Sequence, residues 1–238
     1  MEQGFGGWVG FSPAEWAAIG LSLKVATIGS LASLPLGIAM AWLFARRQFP
    51  GKLLLYGLVH LPLVLPPVVT GWLLLIAFGQ RGIFGRALES CCGIVFSFRW
   101  TGAALAAAVM GFPLMVRTIR LSIEAVDARL EQAGESLGAP PLAVFFTVTL
   151  PLALPSVIAG LILGFARAIG EFGATITFVA NIPGETQTIA TAIYGYTQEP
   201  GAETSVVRLT LVAIAIAFGA LVASEFLAAR VSARVAET

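Results

Sequence analysis

Five apolar stretches, each with enough residues to cross a bilayer, decide what this chain can fold into. They cover about 16–44, 53–78, 100–116, 152–176 and 206–229, and a helix needs roughly 20 residues to traverse about 30 Å of hydrocarbon. With 58% of residues hydrophobic and 11% charged, no soluble fold of this length hides so much apolar surface. The expectation is an all-α membrane protein of about five transmembrane helices, forming one domain over residues 1–238. The spans and their short connections use most of the chain, which leaves no room for an ATPase or other catalytic domain. A formal net charge of +1 implies no bulk attraction to nucleic acid.

Ser12-Pro13-Ala14-Glu15 precedes the first stretch and reads as a helix cap with proline at the first helical position. No Lys or Arg occurs in the first eleven residues, so a cleaved signal peptide is not expected and the first span is kept. Arg46, Arg47 and Lys52 flank the first connection, Arg117, Arg120 and Arg129 the third, and Arg230 and Arg234 close the chain. Basic residues concentrate on the cytoplasmic side. That balance, against Arg81, Arg86 and Arg99 on the opposite loop, predicts N-terminus out and C-terminus cytoplasmic. The extracytoplasmic segments are then about 79–99, with one short helix, and 180–203. The second of these holds the turn Asn181-Ile182-Pro183-Gly184 and an apolar helix over 188–196, too short to span. Cys91 and Cys92 are adjacent, with no spaced partners for a disulfide framework or a metal site, and read as free thiols.

One segment, about 124–151, breaks the apolar pattern with charge and amphipathicity. Asp127 suits a helix cap, and Val126, Leu130, Ala133 and Leu137 fall at helical spacing. Gly138 suits the left-handed residue that ends such a helix. Pro140-Pro141 begins a second short helix with Leu142, Phe145, Phe146 and Thr149 on its apolar face, and Leu150-Pro151 turns the chain back into the membrane. Such a knob reads either as an interfacial loop or as a handle whose exposed apolar residues fit a partner's groove.

Ionised groups inside a membrane pair with one another or face water. Lys24 lies in the first span, and Arg167 and Glu171 lie four apart in the fourth, on one helix face. The pair is either a structural ion pair or a substrate contact. In the second span, Pro62, Pro66 and Pro67 remove backbone donors and kink the helix, and Thr70 is a hydroxyl able to satisfy a freed carbonyl. The kink is either structural or lines a path. His60 is the only histidine, and no nucleophile–base or metal-ligand cluster accompanies it. An enzyme is therefore not expected.

Gln132-Ala133-Gly134, then Gly138, then Val148-Thr149-Leu150-Pro151 resembles the coupling-loop motif of ABC importer permeases, with that family's spacing. Gln132 stands where the family has Glu, Gly134 replaces the second Ala, and Glu131 lies one position earlier to supply the missing charge. The stretches 61–71 and 164–175, and Asn181-Ile182-Pro183-Gly184 with Thr186-Gln187-Thr188, resemble the molybdate permeases of this family; sulfate permeases share the Gly170-Glu171-Phe172-Gly173-Ala174 core.

The resemblance implies a bacterial inner-membrane permease that works as a homodimer with a pair of cytoplasmic ABC ATPases and an extracytoplasmic oxyanion-binding protein. ATP and Mg would sit on the partner ATPase, with no cofactor in this chain. ATPase coupling is expected of Glu131, Gln132, Ala133, Gly134, Gly138, Phe145, Phe146, Leu150 and Pro151. The path for molybdate or tungstate is expected to involve Pro66, Pro67, Thr70, Gly71, Arg167, Glu171 and Thr175. The alternatives are a sulfate or thiosulfate permease, a passive channel, or a secondary carrier, the last disfavoured by the lack of an internal repeat.

Overall fold

The computed structural model describes residues 10–236; the first nine residues, on which the absence of a signal peptide was read, lie outside the described residues. Its elements are α1 (Pro13–Arg46), α2 (Lys52–Val64), α3 (Pro67–Phe78), α4 (Ile83–Cys92), α5 (Trp100–Ala125), α6 (Ala128–Ser136), α7 (Pro141–Val144), a π-helical segment (Phe145–Thr149), α8 (Leu150–Ile169), α9 (Gly173–Val179), α10 (Ile189–Tyr196) and α11 (Glu203–Ala236). The all-α expectation holds. Four helical runs are long and apolar enough to cross a membrane: Pro13–Arg46, Trp100–Ala125, Pro141–Ile169 and Glu203–Leu227, with α2 and α3 as a bent pair.

α5 is the central helix, packed between α1 and α8, and α11 lies against α8. Small residues allow this closeness. A Cβ on Gly29 of α1 would lie 2.7 Å from the Ala104 carbonyl oxygen, and one on Gly111 of α5 would lie 2.9 Å from that of Gly164 in α8. Ala103, Ala106, Ala107 and Met110 of α5 lie in one core cluster and Met115, Val116, Ile119 and Ile123 in a second, while Ala18, Ile19, Ile189, Ala192 and Leu209 form a third.

The second span departs from the expected kink: α2 and α3 diverge by 118°. Proline disfavours the α conformation in the residue before it. Two consecutive prolines therefore leave both Leu65 (φ −70°, ψ 144°) and Pro66 (φ −54°, ψ 134°) extended, so the helix stops and restarts rather than bending. The fourth span departs at both ends. It begins at Pro141, because α7, the π segment and α8 are continuous, so Leu150-Pro151 does not turn the chain. The turn is Gly138 to Pro140. The helix then ends at Ile169, short of the predicted 176, and restarts as α9. α5 runs past the predicted 116 to Ala125, with Ile119 and Ile123 buried along the extension and Arg120 paired with Glu124 at 2.7 Å on its surface.

The N-terminal cap is realised as a capping box between Ser12 and Glu15. The same carboxylate has a distant partner that the sequence does not reveal. Glu15 is wholly buried and takes two bonds from the Arg208 Nη2, at 2.8 and 3.1 Å, which ties the start of α1 to α11. Lys24 is exposed and lies 3.7 Å from the centre of the Trp100 ring.

Candidate functional site

The amphipathic segment folds as a helix–turn–helix. Asp127 caps α6 by accepting from the Arg129 N–H at 2.9 Å. α6 ends at Gly138 (φ +87°), where Gly138 N–H donates to the Glu135 carbonyl and Ala139 N–H to that of Gly134. This paired bonding is the Schellman arrangement, and the positive φ is open to glycine without penalty. Gly134, the departure from the family motif, lies against α7: a Cβ there would sit 3.2 Å from a Val144 methyl.

The predicted apolar face of the second helix divides. Phe145 turns inward onto Trp42 (ring centroids 5.9 Å apart) and Thr149 is buried, while Leu142 and Phe146 are 72% and 58% exposed. Leu137 and Leu130 are 90% and 49% exposed, and Gln132, Ala133 and Pro151 are also exposed, with Leu150 half-buried. The π turn makes room for the proline that comes after it. Pro151 has no N–H to give and its ring crowds the preceding turn; one wider turn, closed by Leu150 N–H on the Phe145 carbonyl, precedes it.

Glu131 points inward, with 17% of its side chain exposed. Its carboxylate takes Arg46 Nε at 2.9 and 3.1 Å and the Thr149 hydroxyl at 2.6 Å, while Arg46 Nη2 donates to the Val126 carbonyl at 3.0 Å.

The predicted path residues assemble around the two helix breaks. Pro67 and Gly71 of α3 pack on Gly173 and Ala174 of α9, with Pro66 exposed beside them. Gly71 is filled by this contact, so its backbone is buried between helices. Thr70 and Thr175 are both buried, and Thr70 Oγ1 has no hydrogen-bond partner among the described residues. Arg167 and Glu171 do form an ion pair, at 2.6 Å, yet across the end of α8 rather than along one helix. The second carboxylate oxygen accepts from Ala174 N–H at 2.8 Å and so starts α9. Glu171 is 2% exposed and Arg167 28%. Both oxygens of Glu171 are thus committed to the protein, as a structural pair requires, and the guanidinium is the partner with open surface.

Residues 33–236 match the family model for the binding-protein-dependent transport system inner membrane component. The Molybdenum transport system permease protein ModB of Escherichia coli (strain K12) is 58% identical over 214 residues, covering 90% of this chain and 93% of that protein. Its namesake in Haemophilus influenzae is 56% identical over 223 residues, covering 94% and 97%. The chain belongs to the binding-protein-dependent transport permeases, among the molybdenum-transport members. The permease is also 36% identical to the Sulfate transport system permease protein CysT of Salmonella typhimurium, covering 79% of this chain and 68% of that one. Its fold matches a bacterial alginate ABC transporter, solved in complex with alginate pentasaccharide-bound periplasmic protein, with a TM-score of 0.72 at 15% identity, covering 93% and 80%. The permease is a transport subunit of the inner membrane.

Proposed function

We propose that the permease forms, as a homodimer, the membrane path of an ATP-driven importer for molybdate or tungstate. A pair of cytoplasmic ABC ATPases grips the α6–Gly138–α7 knob, and an extracytoplasmic protein delivers the oxyanion. The N-terminus lies outside and the C-terminus in the cytoplasm. One observation carries the ATPase contact: Leu130, Leu137, Leu142 and Phe146 stand exposed on a knob that also presents Arg129 and Glu135, while Glu131 is turned inward. Apolar side chains left outward on a charged segment suit a partner's groove.

ATP closes the motor dimer, the knobs move together and the spans open outward; release of ADP and phosphate reverses the change. Nucleotide supplies the differential binding that any such transition needs. Arg167, with its open surface, and the unpaired hydroxyl of Thr70 are the contacts proposed for the anion. Binding in a path has to be weak enough for release. The greater identity to the molybdenum permeases of Escherichia coli and Haemophilus influenzae, 58% and 56%, than to a sulfate permease, 36%, favours molybdate over sulfate.

The test is reconstitution of the permease with its ATPase and binding protein in liposomes. ATP hydrolysis and uptake rise with molybdate-loaded binding protein; equal stimulation by sulfate assigns the substrate to the sulfate class, and uptake without ATP removes the importer reading.

A further inference from the structure

We infer that Glu131 is a positioning residue through which movement of α6 reaches the membrane spans, an inference that rests on the proposed coupling to an ATPase. α6 is joined to its neighbours in sequence by compliant links. Upstream, Val126 and Asp127 are both extended (ψ 127° and 119°), so no helical bonding continues from α5. Downstream, Gly138 is left-handed with open space where a side chain would stand, and Pro140 is extended, so the helical bonding ends in the turn that closes α6. A push delivered to α6 is absorbed at such joints unless something bridges them.

The bridge is one carboxylate. Glu131 is held by Arg46, in the last turn of α1, and by Thr149, where the π segment meets α8. Arg46 also holds the Val126 carbonyl at the end of α5. Residues 85 and 18 positions away in sequence thus converge on α6, and through them it grips three of the long helices. The bonds of Arg46 and Thr149 to the carboxylate are charge-assisted and part-buried, which makes them stronger than neutral pairs. Glu131 and Arg46 keep only 17% and 19% of their side chains exposed. Gly134 also approaches Val144 of α7, but that is van der Waals contact with no directional bond.

The experiment measures molybdate imported per ATP hydrolysed in liposomes holding permease, ATPase and molybdate-loaded binding protein. Glu131→Gln and Arg46→Gln are expected to lower this ratio several-fold. Thr149→Val, which removes one hydroxyl at nearly constant shape, lowers it too, whereas Thr149→Ser keeps it. Because they act through one contact, Glu131→Gln with Thr149→Val falls no further than Glu131→Gln alone. An unchanged ratio in Glu131→Gln overturns the inference, as does a Thr149→Val ratio equal to that of Thr149→Ser. If the charge variants fail to assemble, the Thr149 pair decides. Unchanged uptake without ATP in the parent protein defeats instead the reading beneath it, before any variant is compared.

Discussion

Gly71 and Ala174 meet with no room for a side chain between them: a Cβ on Gly71 would lie 2.5 Å from the Ala174 carbonyl oxygen and 2.8 Å from its Cα. The contact brings the two interrupted spans together just beyond their breaks. Gly71→Ala therefore destabilises the permease by about 1–3 kcal/mol, the usual range for overpacking. Gly57→Ala is the control, since nothing lies within 4 Å of that Cβ and alanine favours a helix interior by ~0.5–1 kcal/mol. Thermal unfolding of the two variants in detergent should move in opposite directions.

Removing the Glu171 side chain strands Arg167 and leaves the Ala174 N–H uncapped. Loss of one member of a fully buried pair costs about 3–5 kcal/mol, and the partial exposure of Arg167 places Glu171→Ala below that range. Arg167→Ala in the same background restores part of the loss, because the stranded charge goes with it. A double-mutant cycle on thermal stability measures this; strict additivity contradicts the pairing.

Cys91 and Cys92 sit at the end of α4 with their sulfurs 2.8 Å apart and both residues exposed. The hydrogen bond that Cys92 shares with Cys91 raises its thiol above its ordinary value, and only the thiolate attacks a maleimide. Cys92 in Cys91→Ala should thus label faster at neutral pH than Cys92 in the parent, with the gap closing in alkali as both ionise. A membrane-impermeant maleimide should reach this pair from outside intact cells. Labelling that needs permeabilised cells reverses the proposed orientation.

Gly138→Arg places a side chain at φ +87°, which costs roughly 1–2 kcal/mol for an L-residue, on the exposed turn of the proposed ATPase contact. The variant should insert normally and lose molybdate uptake. Membrane fractionation and uptake assays separate the two effects, and normal uptake discredits this turn as the coupling element.

Local signals are legible in the sequence. Ser12, Asp127, Gly138 and Thr188 mark helix ends because capping and left-handed turns involve residues only a few positions apart; all four do so here. Non-local and doubled features are not. The consecutive Pro66 and Pro67 produce a 118° turn where one proline would kink. Glu171 starts a new helix because its buried carboxylate captures a backbone N–H, which spacing alone does not reveal. Arg208 with Glu15, 193 positions apart, and Arg46 with Glu131 leave no pattern in sequence at all. For that reason the inward turn of Glu131 is invisible in the sequence, and with it the division of the knob into an anchored side and a bare one.

The wide turn at Phe145–Thr149 also sets the phase of everything after it. An α-helix advances about 100° per residue, and a π turn accommodates one residue more than an α turn. Ala153, Val157, Gly160 and Gly164 are all buried along α8, so their common bearing is inherited from that surplus residue. Winding 145–149 as an even α-helix with no residue removed would swing those four, together with Arg167, about 100° around its axis, whereas deleting one position there would close the wide turn and leave their bearing intact.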